Sequence, residues 1–336
     1  MTNFAELALE NRRALAAAHQ LGRDASSGRP AHLKIELTNY CNLACPLCPH
    51  STMQREHGYM DPALFRRIID MAAPELEFAY LHHLGESLFH PRLGELIQAG
   101  RLHGAAMGLS TNATFLDAER SAAILDAGLD LLVISLDAAT QPTYARLRVP
   151  RRGSADFVRT ASQVRAFLDE RQRRQAHTAV SVQLIVTPDN ADEVPRFADE
   201  WEALGARVMI KRPRDWAGQV QLAAPPPPSV RPGPCQLPWT ELTVLWDGLV
   251  VPCANVIERI NVLGDLKTQT LDEVWNGAPA RALRRAHLDN TVAEVPICRS
   301  CDGHAFHHDD FIAVDQLAQR HRTYLDGGRA LRGGLS

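Results

Sequence analysis

The chain has seven cysteines in 336 residues, and their spacing is the clearest chemical signal in it. Cys41, Cys45 and Cys48 lie in Cys-Asn-Leu-Ala-Cys-Pro-Leu-Cys, separated by three residues and then two. Three thiolates on one loop can bind three irons of a cubane cluster, which leaves the fourth iron open to an exogenous ligand. Structural zinc is the alternative; it would need a fourth ligand, for which His50 is at hand. The remaining four, Cys235, Cys253, Cys298 and Cys301, are spaced by seventeen, forty-four and two residues. Cys235 and Cys253 flank Asp247-Gly248, a hairpin signal that would return the chain to its starting point, and the two-residue gap of the last pair suits adjacent irons. Four thiolates close a site, so this group could hold a four-iron cluster or a tetrahedral zinc.

Those cysteines are read as ligands because of where the chain is expected to work. Glu6, Glu10, Arg12 and Arg13 interrupt any signal-peptide core, and no apolar run approaches the roughly 18 residues of a spanning helix. A cytoplasmic chain keeps its thiols reduced, and an odd number cannot all pair. The formal net charge of −3 gives no strong field for nucleic acid or an anionic membrane, so a small molecule or a peptide is the default partner.

The elements that position these residues alternate between strand and helix. Strands are expected at 32–38, 78–84, 106–111, 131–137, 179–187 and 206–211, with helices at 62–73, 91–103, 117–127, 154–174 and 191–204 between them. Asp61-Pro62 supplies a helix start, and Gly128 and Gly205 supply helix ends. This α/β pattern implies a parallel sheet covered by helices. A helical extension over 1–30 would pack on the main domain, 31–220. The proline-rich stretch from Gln221 to Pro234 marks the junction to a smaller region, 221–336, containing the hairpin around Asp247-Gly248, helical stretches over 271–287 and a last helix near 310–325.

The three-plus-two cysteine spacing after the first strand resembles the signature of radical S-adenosylmethionine (SAM) enzymes, and the resemblance extends over roughly 32–212. It implies a partial (β/α)6 TIM-like barrel, a SAM-binding 4Fe–4S cluster on Cys41, Cys45 and Cys48, and SAM itself. Leu47 stands where the family lays backbone against the adenine. Leu84-Gly85-Glu86-Ser87 resembles the family's Gly-Gly-Glu-Pro, which implies that Gly85 and Glu86 hold the methionine ammonium, although Leu84 and Ser87 depart from the motif. The resemblance also places Ser110 and Asn112 near the ribose, and Ser135 and Arg148 at the methionine carboxylate with Arg146 as rival; the segment 184–187 with Asn190 would pack on the adenine. The C-terminal four cysteines resemble the SPASM/twitch region in its shorter form, which carries one auxiliary 4Fe–4S cluster, and their spacing is similar to that of the aminocyclitol dehydrogenase of butirosin biosynthesis.

With three thiols on one cluster and four on the other, none is left to return a hydrogen atom to a substrate radical. That favours oxidation, with the auxiliary cluster as electron acceptor, of a hydroxyl-bearing carbon in a sugar, aminocyclitol or nucleoside of natural-product or antibiotic biosynthesis. The alternatives are modification of a ribosomal peptide, decarboxylation of a nucleoside, or a non-enzymatic zinc-binding role. Lys211, Arg212 and Arg214, at the end of the last barrel strand, are the candidate catalytic residues, with Trp216 available to stack on a sugar. His304, His307 and His308 read as surface residues. An external electron donor such as flavodoxin or ferredoxin is implied.

Overall fold

Three helices of the barrel start where an aspartate side chain satisfies their free amides. In the computed structural model, which describes residues 4–222 and 233–301, Asp61 accepts from the amides of Ala63 and Leu64, and Asp117 and Asp156 cap two later helices in the same way. After α1 (Phe4–Gln20), the order is β1 (His32–Ile35), α2 (Pro62–Ala72), β2 (Phe78–Tyr80), α3 (Leu93–Arg101), β3 (Ala106–Thr111), α4 (Ala118–Asp126) and β4 (Leu131–Ser135). It continues with α5 (Gln141–Leu147), α6 (Phe157–Arg173), β5 (Ala179–Ile185), α7 (Val194–Ala203) and β6 (Arg207–Lys211). These six strands are parallel and neighbour one another in chain order, which makes the partial barrel. Leu64, Phe65, Ile68, Ile69 and Ala72 show how each helix buries one face against the sheet.

Several strands are shorter than their apolar runs. β1 stops at Ile35 and β2 at Tyr80, and the residues that follow leave the sheet to build the rim where the cysteine loop and the Gly85-Glu86 turn sit. Helix α5 is not among the expected elements; Pro142 occupies its first turn, where proline is tolerated.

The C-terminal region continues the same sheet. After α8 (Leu237–Thr240), β7 (Glu241–Val244) pairs in parallel with the free side of β1, and β8 (Leu249–Val251) and β9 (Gly264–Asp265) add antiparallel strands, for nine among the described residues. Helices α9 (Leu271–Trp275), α10 (Ala278–Leu288) and α11 (Pro296–Arg299) close this end. The expected packing of α1 on the main domain is only part of the contact. An ion pair joins Arg12 to Glu77, but the segment after α1 is held by the C-terminal region: Trp239 donates to the Arg23 carbonyl (2.8 Å), Trp275 to the Gly28 carbonyl (2.7 Å) and Arg284 to the Asp24 carbonyl (3.0 Å). The proline run 225–228, the histidines at 304, 307 and 308, and the expected helix at 310–325 lie outside the described residues. Among the described residues no helix is long and apolar enough to cross a membrane.

The strand period sorts the barrel interior into two levels. Phe78, Tyr80, Ala106, Leu131, Val133 and Ala179 plug the lower level with apolar surface. Above them Lys34, His82, Ser135, Gln183 and Lys211 line a cavity at the carboxyl ends of the strands.

Candidate active site

A cavity of about 330 Å³ opens at that end, the face where barrel enzymes place their chemistry. Cys41, Cys45 and Cys48 all line it, on the loop that leaves β1. The Cys48 amide donates to the Cys45 carbonyl (3.0 Å), and the Leu43 amide points at the Cys41 sulfur (3.5 Å). Burial pushes the Cys41 thiol up to about 12 and the Cys48 thiol up to about 11. Thiols this reluctant to ionise become ligands when a metal displaces the proton. The zinc alternative with His50 fails on geometry: Nε2 of His50 is engaged with the Asn39 carbonyl (2.7 Å) and Nδ1 with Arg151 (2.7 Å), so both ring nitrogens are spent.

The residues expected to hold SAM surround these thiols. Leu47, Gly85, Glu86, Ser110, Asn112, Ser135 and Arg148 all line the cavity. Gly85 has φ +88°, and a Cβ there would lie 2.4 Å from the Thr38 carbonyl oxygen, so only glycine lets this turn sit against the cysteine loop. Glu86 is buried, with Thr111 Oγ1 donating to one oxygen (2.8 Å) and the Asn112 amide to the other (2.7 Å). Burial raises its pKa while those donors lower it, and carboxylate lone pairs remain for an ammonium.

Arg148 and its rival part company here. Arg146 is half-exposed and pairs with Asp189, whereas Arg148 is buried, 2.6 Å from Asp137, with Nη1 3.8 Å from the Cys45 sulfur. Its Nε has no hydrogen-bond partner, so one donor of the buried fork is still available. Asn190 does not reach the cavity: its amide nitrogen is spent on the carbonyls of Asp137 and Ile185, although Ile185 itself lines the wall. Leu47 offers its carbonyl to the Trp216 indole (3.1 Å), which makes Trp216 a brace for the cysteine loop.

Lys211, Arg212 and Arg214 also line the cavity. The two arginines cannot serve as bases, since a guanidinium keeps its proton. Arg214 donates to Asn255 Oδ1 (2.8 Å) and lies over the Trp216 ring, which together hold its guanidinium in place. The better proton acceptors are two residues that sequence reading passed over, His82 and His83, directly before the Leu84-Gly85-Glu86 turn. Both line the cavity, and burial lowers each to about 4, which keeps them neutral. His83 Nε2 donates to the Val256 carbonyl (3.0 Å), leaving Nδ1 as a bare acceptor; Nδ1 of His82 also has no partner. The adjacent histidines at a strand end were the available signal.

The other four cysteines, Cys235, Cys253, Cys298 and Cys301, line a second void of about 30 Å³. Burial raises Cys235 and takes Cys253 to about 11. Four thiolates gathered around one void are a donor set that suits an iron–sulfur cluster. Cys253 and Asn255 line both cavities, so the two sites share a wall.

In comparison with known proteins the two cysteine groups fall within two different family models. Residues 35–200 match the model of the radical SAM superfamily, and residues 235–302 match SPASM, an iron–sulfur cluster-binding domain. The tungsten-containing aldehyde ferredoxin oxidoreductase cofactor-modifying protein of Pyrococcus furiosus is 31% identical over 182 residues, 53% of this chain and 50% of that protein, so the chain spans about half the length of that relative. A PqqA peptide cyclase of Gluconobacter oxydans is 25% identical over 311 residues, covering 81% of this chain and 83% of the cyclase. In fold, the crystal structure of BtrN in complex with AdoMet and 2-DOIA superposes with a TM-score of 0.56 at 17% identity, covering 85% of this chain and 96% of BtrN.

Proposed function

We propose that this chain, which belongs to the radical SAM superfamily and carries a SPASM iron–sulfur cluster-binding domain, oxidatively modifies a side chain of a peptide that enters the barrel between its two cysteine groups. The observation that carries this reading is the shared wall: Cys253 and Asn255 border the cavity of Cys41, Cys45 and Cys48 and the void of the C-terminal four. The peptide is favoured because the PqqA peptide cyclase aligns over most of both chains. This moves the substrate away from the sugar or aminocyclitol expected from the cysteine spacing.

When bound, SAM on a 4Fe–4S cluster supplies a 5′-deoxyadenosyl radical that takes a hydrogen atom, and an auxiliary 4Fe–4S cluster supplies a one-electron acceptor. The protein's part is to hold and to insulate. Cys41, Cys45 and Cys48 hold the first cluster; Glu86 and the free Nε of Arg148 meet the ammonium and carboxylate of the methionine moiety. Lys211, Arg212 and Arg214 orient the substrate. His82, neutral and inward-facing, accepts the proton that an oxidised substrate must lose. The first electron comes from an external donor such as flavodoxin or ferredoxin.

A second reading is dehydrogenation of a hydroxyl-bearing carbon in a sugar, aminocyclitol or nucleoside. The polar upper interior favours it, since Lys34, His82, Ser135 and Gln183 offer the donors and acceptors that hydroxyls need. One experiment separates the two. The anaerobically reconstituted protein should carry about eight irons and eight sulfides, and release 5′-deoxyadenosine faster with a peptide fraction of cell extract. Protease treatment of that fraction should abolish the stimulation. Stimulation by a protease-resistant small-molecule fraction would reject the peptide and support the second reading.

A further inference from the structure

Two side chains beside the C-terminal cysteines have their hydrogen-bonding roles fixed by a neighbour that can only donate. His287, buried on α10, receives the backbone N–H of Cys235 at Nδ1 (3.4 Å). A backbone amide cannot accept, so Nδ1 holds the lone pair and the proton of the neutral ring is on Nε2. Nε2 lies 3.7 Å from the Cys298 sulfur. The same logic orients Asn255. Its Oδ1 receives Arg214 Nη2 (2.8 Å), and a guanidinium has no acceptor, so the amide NH2 faces the Cys301 sulfur at 3.3 Å.

Two of the four thiolates are therefore provided with side-chain N–H donors. The corresponding side-chain contacts in the first group are longer, at 3.8 Å from Arg148 to Cys45 and 3.9 Å from Asn112 to Cys41. Hydrogen bonds to cluster sulfurs favour the reduced, more electron-rich state and raise the reduction potential. We propose that His287 and Asn255 act as positioning residues that raise the reduction potential of the C-terminal cluster, so that it draws an electron out of the substrate cavity. This rests on the reading that Cys235, Cys253, Cys298 and Cys301 hold an iron–sulfur cluster. It adds a direction to that reading, because a cluster biased toward its reduced form accepts electrons. Asn255 also ties the bias to the cavity, since the arginine that fixes its amide lines the substrate wall.

The test uses the full chain with Cys41→Ala, Cys45→Ala and Cys48→Ala, so that only the C-terminal cluster contributes, and an EPR-monitored redox titration as readout. His287→Met fills the space without a donor and should make one-electron reduction about tenfold less favourable, which is about 59 mV. His287→Gln, which keeps an N–H, should lose less than His287→Met, and Asn255→Asp should shift in the same direction as His287→Met. A loaded His287→Met protein that titrates at the wild-type potential overturns the proposal while leaving the cluster assignment intact. Should that variant fail to assemble, the unsubstituted His287 protein labelled with 15N-histidine decides. A 15N coupling to the reduced cluster supports the hydrogen bond, and its absence removes it. A colourless, zinc-containing protein would instead overturn the cluster assignment, and the proposal with it.

Discussion

The buried ion pair between Arg55 and Glu36 should hold the two halves of the site in register, and its loss can be sized. Glu36 follows β1 and Arg55 follows the cysteine loop; the pair is bidentate at 2.7 and 2.9 Å, with side-chain exposures of 0% and 1%. Arg55 Nε also donates to the Ile257 carbonyl (2.5 Å), and the Trp246 amide donates to Glu36 (3.2 Å), so one charge pair joins the barrel rim to the C-terminal region. Arg55→Met leaves a buried carboxylate uncompensated, which costs about 3–5 kcal/mol. The Glu36→Met, Arg55→Met double variant removes both charges and should recover most of that loss, because desolvation of the pair offsets most of its attraction. Urea unfolding of the three proteins gives the comparison, with SAM affinity measured alongside because the cysteine loop is tethered through Arg55. A loss below about 1 kcal/mol for Arg55→Met, the size of an exposed pair, would refute the burial argument. A double variant as damaged as the sum of the singles would refute the desolvation argument.

Gly85→Ala places a Cβ 2.4 Å from the Thr38 carbonyl oxygen at φ +88°, so SAM should bind about tenfold more weakly, from the ~1–2 kcal/mol of a left-handed conformer; equilibrium dialysis showing unchanged affinity would remove Gly85 from the site. The fold should lose stability on mild acidification. Burial depresses His83 to about 4 in the folded chain against 6.5 unfolded. Its contribution is complete above pH 6.5, falls away toward pH 4, and amounts to about 1 kcal/mol between pH 7.5 and 5.5. His83→Leu should flatten that part of the urea-midpoint profile, and an unaltered slope would show that His83 does not titrate there. Cys298→Ser should stop product formation while leaving 5′-deoxyadenosine release measurable by chromatography; a fully active variant would contradict an electron-accepting role for the C-terminal group.

What the sequence disclosed was local. The cysteine spacings, the Asp61-Pro62 cap and the apolar run from Ala106 to Thr111 are each set by residues within a turn or two of each other, and Ala106–Thr111 forms a strand with those bounds. What it concealed depends on residues far apart in the chain. Nothing near Glu241 indicates that it will lie opposite His32, and nothing near His287 indicates a contact with Cys235. His82 was passed over for a related reason: a histidine after a short strand is ordinary until it is found lining the cavity. Lys211, Arg212 and Arg214 drew attention through charge, yet Arg214 is already committed to Asn255 and Trp216.

The pairing of β1 with β7 governs how the two cysteine groups relate. β1 carries the first cysteine loop on its carboxyl end, and its neighbours are β2, which leads to Gly85 and Glu86, and β7, which lies between Cys235 and Cys253 in the chain. Four residue pairs, from His32–Glu241 to Ile35–Val244, lock β1 to β7. Lys34 adds an ion pair to Glu241 at 2.6 Å, inside the barrel and away from bulk water. The proline-rich stretch marks the junction between the regions in the sequence, and backbone hydrogen bonds between β1 and β7 join the two regions in one sheet. A cavity bordered by both is then a built feature of one sheet, its walls held by the same ladder that joins the two regions.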